Sequence, residues 1–102
     1  DSINGTITFR GTTGSKDITE KESKKGNYRI FDAYSSEKTD ENNYTYIWVH
    51  FVDFSSERPA FLQPKVGIDA EGVLELTIYN GKENIGCLVK TISQWDKQSS
   101  NG

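Results

Sequence analysis

The dipeptide Asn80-Gly81, set between two runs of alternating apolar residues, constrains this chain more than any other feature. Both central positions of a two-residue hairpin turn need positive φ, which Asn and Gly adopt at little cost. Such a turn pairs Tyr79 with Lys82, and so Leu76 with Ile85 and Leu74 with Cys87. Leu74, Leu76, Ile78, Ile85, Cys87 and Val89 then share one face. A longer turn through Lys82 and Glu83 pairs Leu76 with Leu88 and scatters that cluster, so the short turn is expected.

The remaining apolar residues also fall in short runs of strand length, and no segment shows helical spacing. "SINGTITFRG" (2–11) places Ile3, Ile7 and Phe9 on one parity. "NYRIFDAY" (27–34) and "YTYIWVHFVDF" (44–54) read as the second and third strands. "AFLQPKVGI" (60–68) reads as a fourth, at an edge or bulge, because Pro64 has no amide to donate. "DAEG" (69–72) has Asp and Gly where a type I turn wants them, which makes the last three strands a C-terminal β-meander. The polar segments 11–27 and 35–43 are expected to be loops, the first with one helical turn at most, and 97–102 a flexible tail. The expectation is one all-β domain spanning 1–102, an antiparallel β-sandwich or open barrel of about six strands.

The stretch 44–54 is apolar on both faces. With a period of two, Ile47, Val49 and Phe51 lie opposite Tyr44, Tyr46, Trp48, His50, Val52 and Phe54. The aliphatic side matches the apolar face of the hairpin and is expected to be core. The aromatic side has two readings. Covered by a second layer, it is core as well, and this is the expected arrangement. Left open, it is a platform for a sugar ring, a nucleobase or a protein, with Tyr44, Tyr46 and Trp48 as the ligand-binding residues.

Residues suited to catalysis are few. His50 is the sole histidine and sits in the middle of an aromatic strand, where a packed ring is usual. Cys87 alternates with Ile85 and Val89 as a small buried hydrophobe does, and nothing flanking it would activate a thiolate for a dyad with His50. Asp32, Asp53, Asp69 and Glu71 form no motif, and Asp53, on the aliphatic parity, must sit at a rim or pair with a cation. Glu37, Asp40, Glu41, Asn42 and Asn43 offer oxygen ligands but lack the spacing and glycine of a calcium loop, so they read as a solvated charge run. No catalytic residue, metal or cofactor is expected.

Fifteen acidic residues against twelve basic give a net charge of −3, which argues against a phosphate-backbone partner. No apolar run reaches the roughly 20 residues that span a bilayer, so membrane insertion is not expected. A single cysteine forms no internal disulfide. The chain begins at Asp1 and contains no Met, as after removal of a signal peptide, which leans towards an extracellular or periplasmic location without excluding the cytoplasm. These features together suggest a non-enzymatic secreted or cell-envelope domain that binds a protein or glycan and no nucleic acid. The alternative is a small acidic inhibitor or immunity-type protein that neutralises a basic toxin or enzyme by electrostatic steering.

The segment "GTITFRG" (5–11) resembles the first strand of chaperone–usher pilin subunits, incomplete immunoglobulin-like sandwiches completed by a neighbour's strand. The cysteine that follows that strand in many such subunits is absent, and the C-terminal end does not match.

Overall fold

A computed structural model describes residues 2–55 and 57–95, and the expected tail at 97–102 lies outside them. The described residues form β1 (Ser2–Thr13), β2 (Thr19–Ser23), β3 (Gly26–Asp40), β4 (Asn43–Asp53), β5 (Gly67–Tyr79) and β6 (Lys82–Gln94). They make one sheet in the order β1-β5-β6-β4-β3-β2, and a further pairing of β1 with β3 closes five of them into a barrel. β2 lies outside the ring as an extra strand on β3. All pairings are antiparallel except β4 with β6, where His50, Phe51 and Val52 run alongside Gly86, Cys87 and Leu88. The expected sandwich or open barrel is therefore a barrel, with β1 hydrogen-bonded inside the chain's own sheet and in no need of a donor strand.

Two glycines permit the closure. Gly11 and Thr12 on β1 pair with Ile68 and Gly67 of β5, while Thr12 and Thr13 already pair with Tyr34 and Ala33 of β3. A Cβ on Gly11 would lie 2.2 Å from the Tyr34 carbonyl oxygen. At Gly72, opposite the bulge that leaves Lys90 of β6 without a partner in the register, a Cβ would lie 2.0 Å from the carbonyl oxygen of Leu88. Both contacts are with backbone, so no side-chain movement relieves them, and each marks a sharp bend in its strand.

Inside the barrel, inward residues of successive strands meet in register. Phe31 lies directly opposite Phe51, their rings stacked 5.0 Å apart at 3°, and Phe9 meets Phe51 edge-on at 5.0 Å. Val49, Ala33, Ile68, Ala70, Cys87 and Ile18 complete this core with Leu62, which the 54–66 loop inserts. Arg58 holds that loop by donating from Nε (3.0 Å) and Nη2 (2.6 Å) to the Leu62 carbonyl. Thr13 fastens its other end: the hydroxyl donates to the Gln63 carbonyl at 2.6 Å and accepts from the Val66 amide at 2.8 Å.

Asp53 resolves as the cation-paired residue. Its carboxylate accepts from Arg29 Nη1 at 2.8 Å, both side chains being almost fully buried. The same guanidinium reaches Glu20 on β2 and Ser55 beyond β4, so one buried cation joins three segments.

The hairpin register is the expected one. Tyr79 pairs with Lys82, Leu76 with Ile85 and Leu74 with Cys87, and Asn80 and Gly81 have φ of 53° and 77°. Other local expectations fail. β5 continues as one strand through 69–72, because Ile68 and Ala70 alternate into the core and the inward side chains outweigh the turn residues. The 60–66 segment is loop, leaving the meander with two strands. Residues 19–23 form β2, and 35–40 continue β3 as an exposed arm. The barrel fixes Phe51 and Gly81 for different reasons. Phe51→Ala is expected to cost about 3 kcal/mol or more through the cavity left between two rings. Gly81→Val costs about 1 kcal/mol or more through its positive φ. Urea unfolding of each variant measures both.

Candidate functional site

The outer face of the β3–β4 hairpin carries most of the exposed aromatic surface. Tyr44, Tyr46 and Trp48 are 56%, 57% and 50% exposed, against the expectation that this side would be covered. The cause is the length of the hairpin. Inward burial along β4 begins only at Val49, so residues before it stand beyond the barrel, and Ile47, expected in the core, is 51% exposed.

Tyr34 joins the group because register places it directly opposite Trp48. Its ring centroid is 5.0 Å from that of Trp48 and 5.7 Å from that of Tyr46, so three rings form one contiguous surface held at rigid strand positions. Further along the same face lie the facing pair Asp32 and His50, then the Tyr28–Phe54 ring pair at 5.0 Å. His50 Nδ1 donates to Asp32 Oδ1, and both side chains are about half exposed. His50 is thus an oriented surface group.

The segment that follows β1 crosses the edge of Trp48. A Cβ on Gly14 would meet an indole carbon at 3.3 Å. Gly14 is pinned there by its amide, which donates to the Asp32 carbonyl (2.9 Å), and by its carbonyl, which accepts from the Lys65 amide (3.1 Å). A cleft opens on each side of this crossing. One, of about 330 Å³, is lined by Lys16, Asp17, Ile30, Asp32 and Trp48. The other, of about 340 Å³, is lined by Thr12, Thr13, Ser15, Tyr34, Trp48 and Lys65. Periodicity put Tyr44, Tyr46 and Trp48 on one face, though a covered face was expected there. It gave no sign of Tyr34, Lys16 or Lys65, which reach the site only through cross-strand register and loop placement.

The remaining chemical candidates are accounted for structurally. Cys87 points inward beside its register partner Phe51, while His50, one residue earlier on β4 and opposite Gly86, points outward, so the pleat separates the conceivable dyad. Burial pushes the Cys87 thiol up to about 11, the reverse of activation. Asp40 accepts from the Asn42 amide and from Asn43 Nδ2, bonds that hold its carboxyl below the usual range and commit it to its own turn.

No family model and no curated protein matches the sequence. Solved structures do match its fold. The small single-stranded DNA-binding protein of Streptomyces coelicolor aligns with a TM-score of 0.69 at 13% identity, covering 98% of this chain and 99% of that one. The Plasmodium falciparum single-stranded DNA-binding protein, solved with single-stranded DNA, gives 0.69 at 15% identity over 89% and 94%. A mitochondrial single-stranded DNA-binding protein of S. cerevisiae gives 0.65 at 17% over 89% and 93%. The barrel is thus an oligonucleotide/oligosaccharide-binding (OB) fold with one extra strand.

These likenesses correct four expectations. A secreted or envelope domain that engages a protein or glycan, its acidic-inhibitor alternative, the exclusion of nucleic acid and the extracellular or periplasmic lean all conflict with neighbours that bind single-stranded DNA, one of them mitochondrial. Net charge averages over the surface while a ligand meets one face, so a value of −3 does not by itself exclude a nucleic-acid partner. The non-enzymatic expectation agrees with these neighbours, which are binding proteins.

An exposed thiol ionises near 9.0 and folded Cys87 near 11, so folding holds the proton. Its contribution to stability is complete below the lower value and lost as pH rises through the higher. Native protein at pH 8 is expected to resist iodoacetamide, with alkylation following the urea unfolding curve. Rapid labelling of folded protein would contradict the inward placement of Cys87.

Proposed function

We propose that this chain binds single-stranded DNA across the outer face of β3 and β4, with Tyr34, Tyr46 and Trp48 stacking on bases and Tyr44 extending the track. The contiguous three-ring surface, with Tyr46 and Trp48 exposed and Tyr34 half-buried beside them, is the observation that carries this reading. Stacking suits such a surface because every base has a π-face, and each stacked base contributes about 1–3 kcal/mol without regard to sequence. Neighbours of the same fold that bind single-stranded DNA support it.

The cations fit a stacking-dominated mode. Lys16 and Lys65 line the two clefts beside Trp48, and Lys38 faces Tyr44 across the hairpin. Lys16 shares its cleft with Asp17 and Asp32, which leaves two lysines to neutralise phosphates, so affinity depends on salt only modestly, with a slope of log K against log salt of about −1.4.

Trp48→Ala is expected to lower affinity for an oligo(dT) of about ten nucleotides roughly ten-fold or more, while leaving the denaturant midpoint close to wild type because the indole is half exposed. Fluorescence anisotropy at several salt concentrations measures both the loss and the slope. Unchanged affinity in a folded Trp48→Ala variant would refute the proposal.

A further inference from the structure

The two clefts that meet at Trp48 are of opposite electrostatic character. On the Tyr34 side the charged lining is Lys65 alone, and Ser15 borders both clefts. On the Ile30 side two carboxylates, Asp17 and Asp32, face one cation, Lys16. The first lining carries net positive charge, which favours a phosphate, and the second net negative charge, which disfavours one.

Building on the DNA-binding reading above, we propose that Asp32 is a base-selecting residue. A base stacked on Trp48 turns its hydrogen-bonding edge towards Asp32, while its phosphate lies on the Lys65 side. Asp32 is prepared for this task. Its Oδ1 accepts from His50 Nδ1, which fixes the orientation of the carboxylate, and its side chain stays 47% exposed. Its main chain is fixed too, since the carbonyl accepts from the Gly14 amide at 2.9 Å. An oriented carboxylate beside an aromatic stacking face accepts from an exocyclic amine. Cytosine presents its N4 amino group at the corner of that edge, whereas thymine has the O4 carbonyl oxygen there and its one donor, N3–H, lies between two carbonyl oxygens that a carboxylate repels. Placing a negative charge on a DNA-binding face weakens binding of every sequence. Reading an amino group offsets that loss for the bases that carry one. Asp32 therefore discriminates between the pyrimidines, and Lys65 orients the strand.

The test compares fluorescein-labelled oligo(dC) and oligo(dT) of about ten nucleotides with the full chain by anisotropy at fixed salt. Wild type is expected to bind oligo(dC) about five-fold more tightly, the low end of what one discriminating base contact gives. Asp32→Ala should bring the two affinities together, chiefly by strengthening oligo(dT). Lys65→Gln should weaken both oligonucleotides equally and flatten the salt dependence by about 0.7. Equal wild-type affinities, or an Asp32→Ala variant that gains equally on both and keeps the ratio, would show that Asp32 acts only as a repelling charge and would overturn the proposal. Lys65→Gln with unchanged affinity and salt dependence would overturn the strand orientation. The underlying reading fails separately, through Trp48→Ala: if that variant keeps wild-type affinity for both oligonucleotides, the platform itself is not the site.

Discussion

The close approach of β1 to β3 at Gly11 is the constraint on which the rest of the molecule depends. One strand serves two neighbours there, leaving β5 and taking up β3 within two residues, and only a residue without a Cβ fits beneath the Tyr34 carbonyl. Closure gives the sheet an inside and an outside, so the alternation of β4 sends Val49, Phe51 and Asp53 one way and Trp48, His50 and Val52 the other. It also fixes where β1 ends. Thr13 ties that end to the 54–66 loop and Gly14 is delivered to the edge of Trp48, so the bend that closes the barrel also builds the clefts of the site.

The buried Arg29–Asp53 pair sits at the other end of the hairpin and works differently. Removing two charges from water costs several kcal/mol each, and the pair alone does not return a large surplus. What it supplies is direction. Arg29 divides its donors among Asp53, Ser55 and Glu20, so β2, β3 and the start of the 54–66 loop can dock in one way that leaves no charge unpaired. β2 has no buried side chain of its own, and its five residues are all exposed. Its hydrogen bonds to β3 and this shared guanidinium hold it in place, together with Ile18 just before it, which enters the core.

How far the sequence could be read follows from how local each determinant is. The β5–β6 register was legible because a two-residue turn and an apolar face both demand it, and neither depends on the rest of the fold. Alternation along 44–54 gave the correct parity, yet parity does not say where along a strand the barrel stops. Ile47 and Phe51 share a side of β4, one half exposed and one fully buried, and four residues of arm make the difference. "DAEG" misled for the opposite reason: its turn preference is real but weak, and Ile68 and Ala70 are 0% and 1% exposed in the core that overrides it. Tyr34 could not be found by pattern at all, since its role arises from standing opposite Trp48.

Charge was the least local property used, and so the least informative about function. The molecule extends 49 × 35 × 24 Å, several times the roughly 8 Å over which salt screens exposed charges in physiological solution. A net charge of −3 spread over such a body says little about the field at Trp48. A strand of DNA bound as proposed would meet there the local set of Lys16, Lys65, Asp17 and Asp32 around three rings. When stacking supplies most of the affinity, the surface needs only enough positive charge to offset repulsion where phosphates pass, and none where bases turn. An acidic protein with this barrel is therefore compatible with a nucleic-acid ligand, provided the sides of the aromatic platform differ in net charge, as the Lys65 side and the Asp17–Asp32 side do at Trp48.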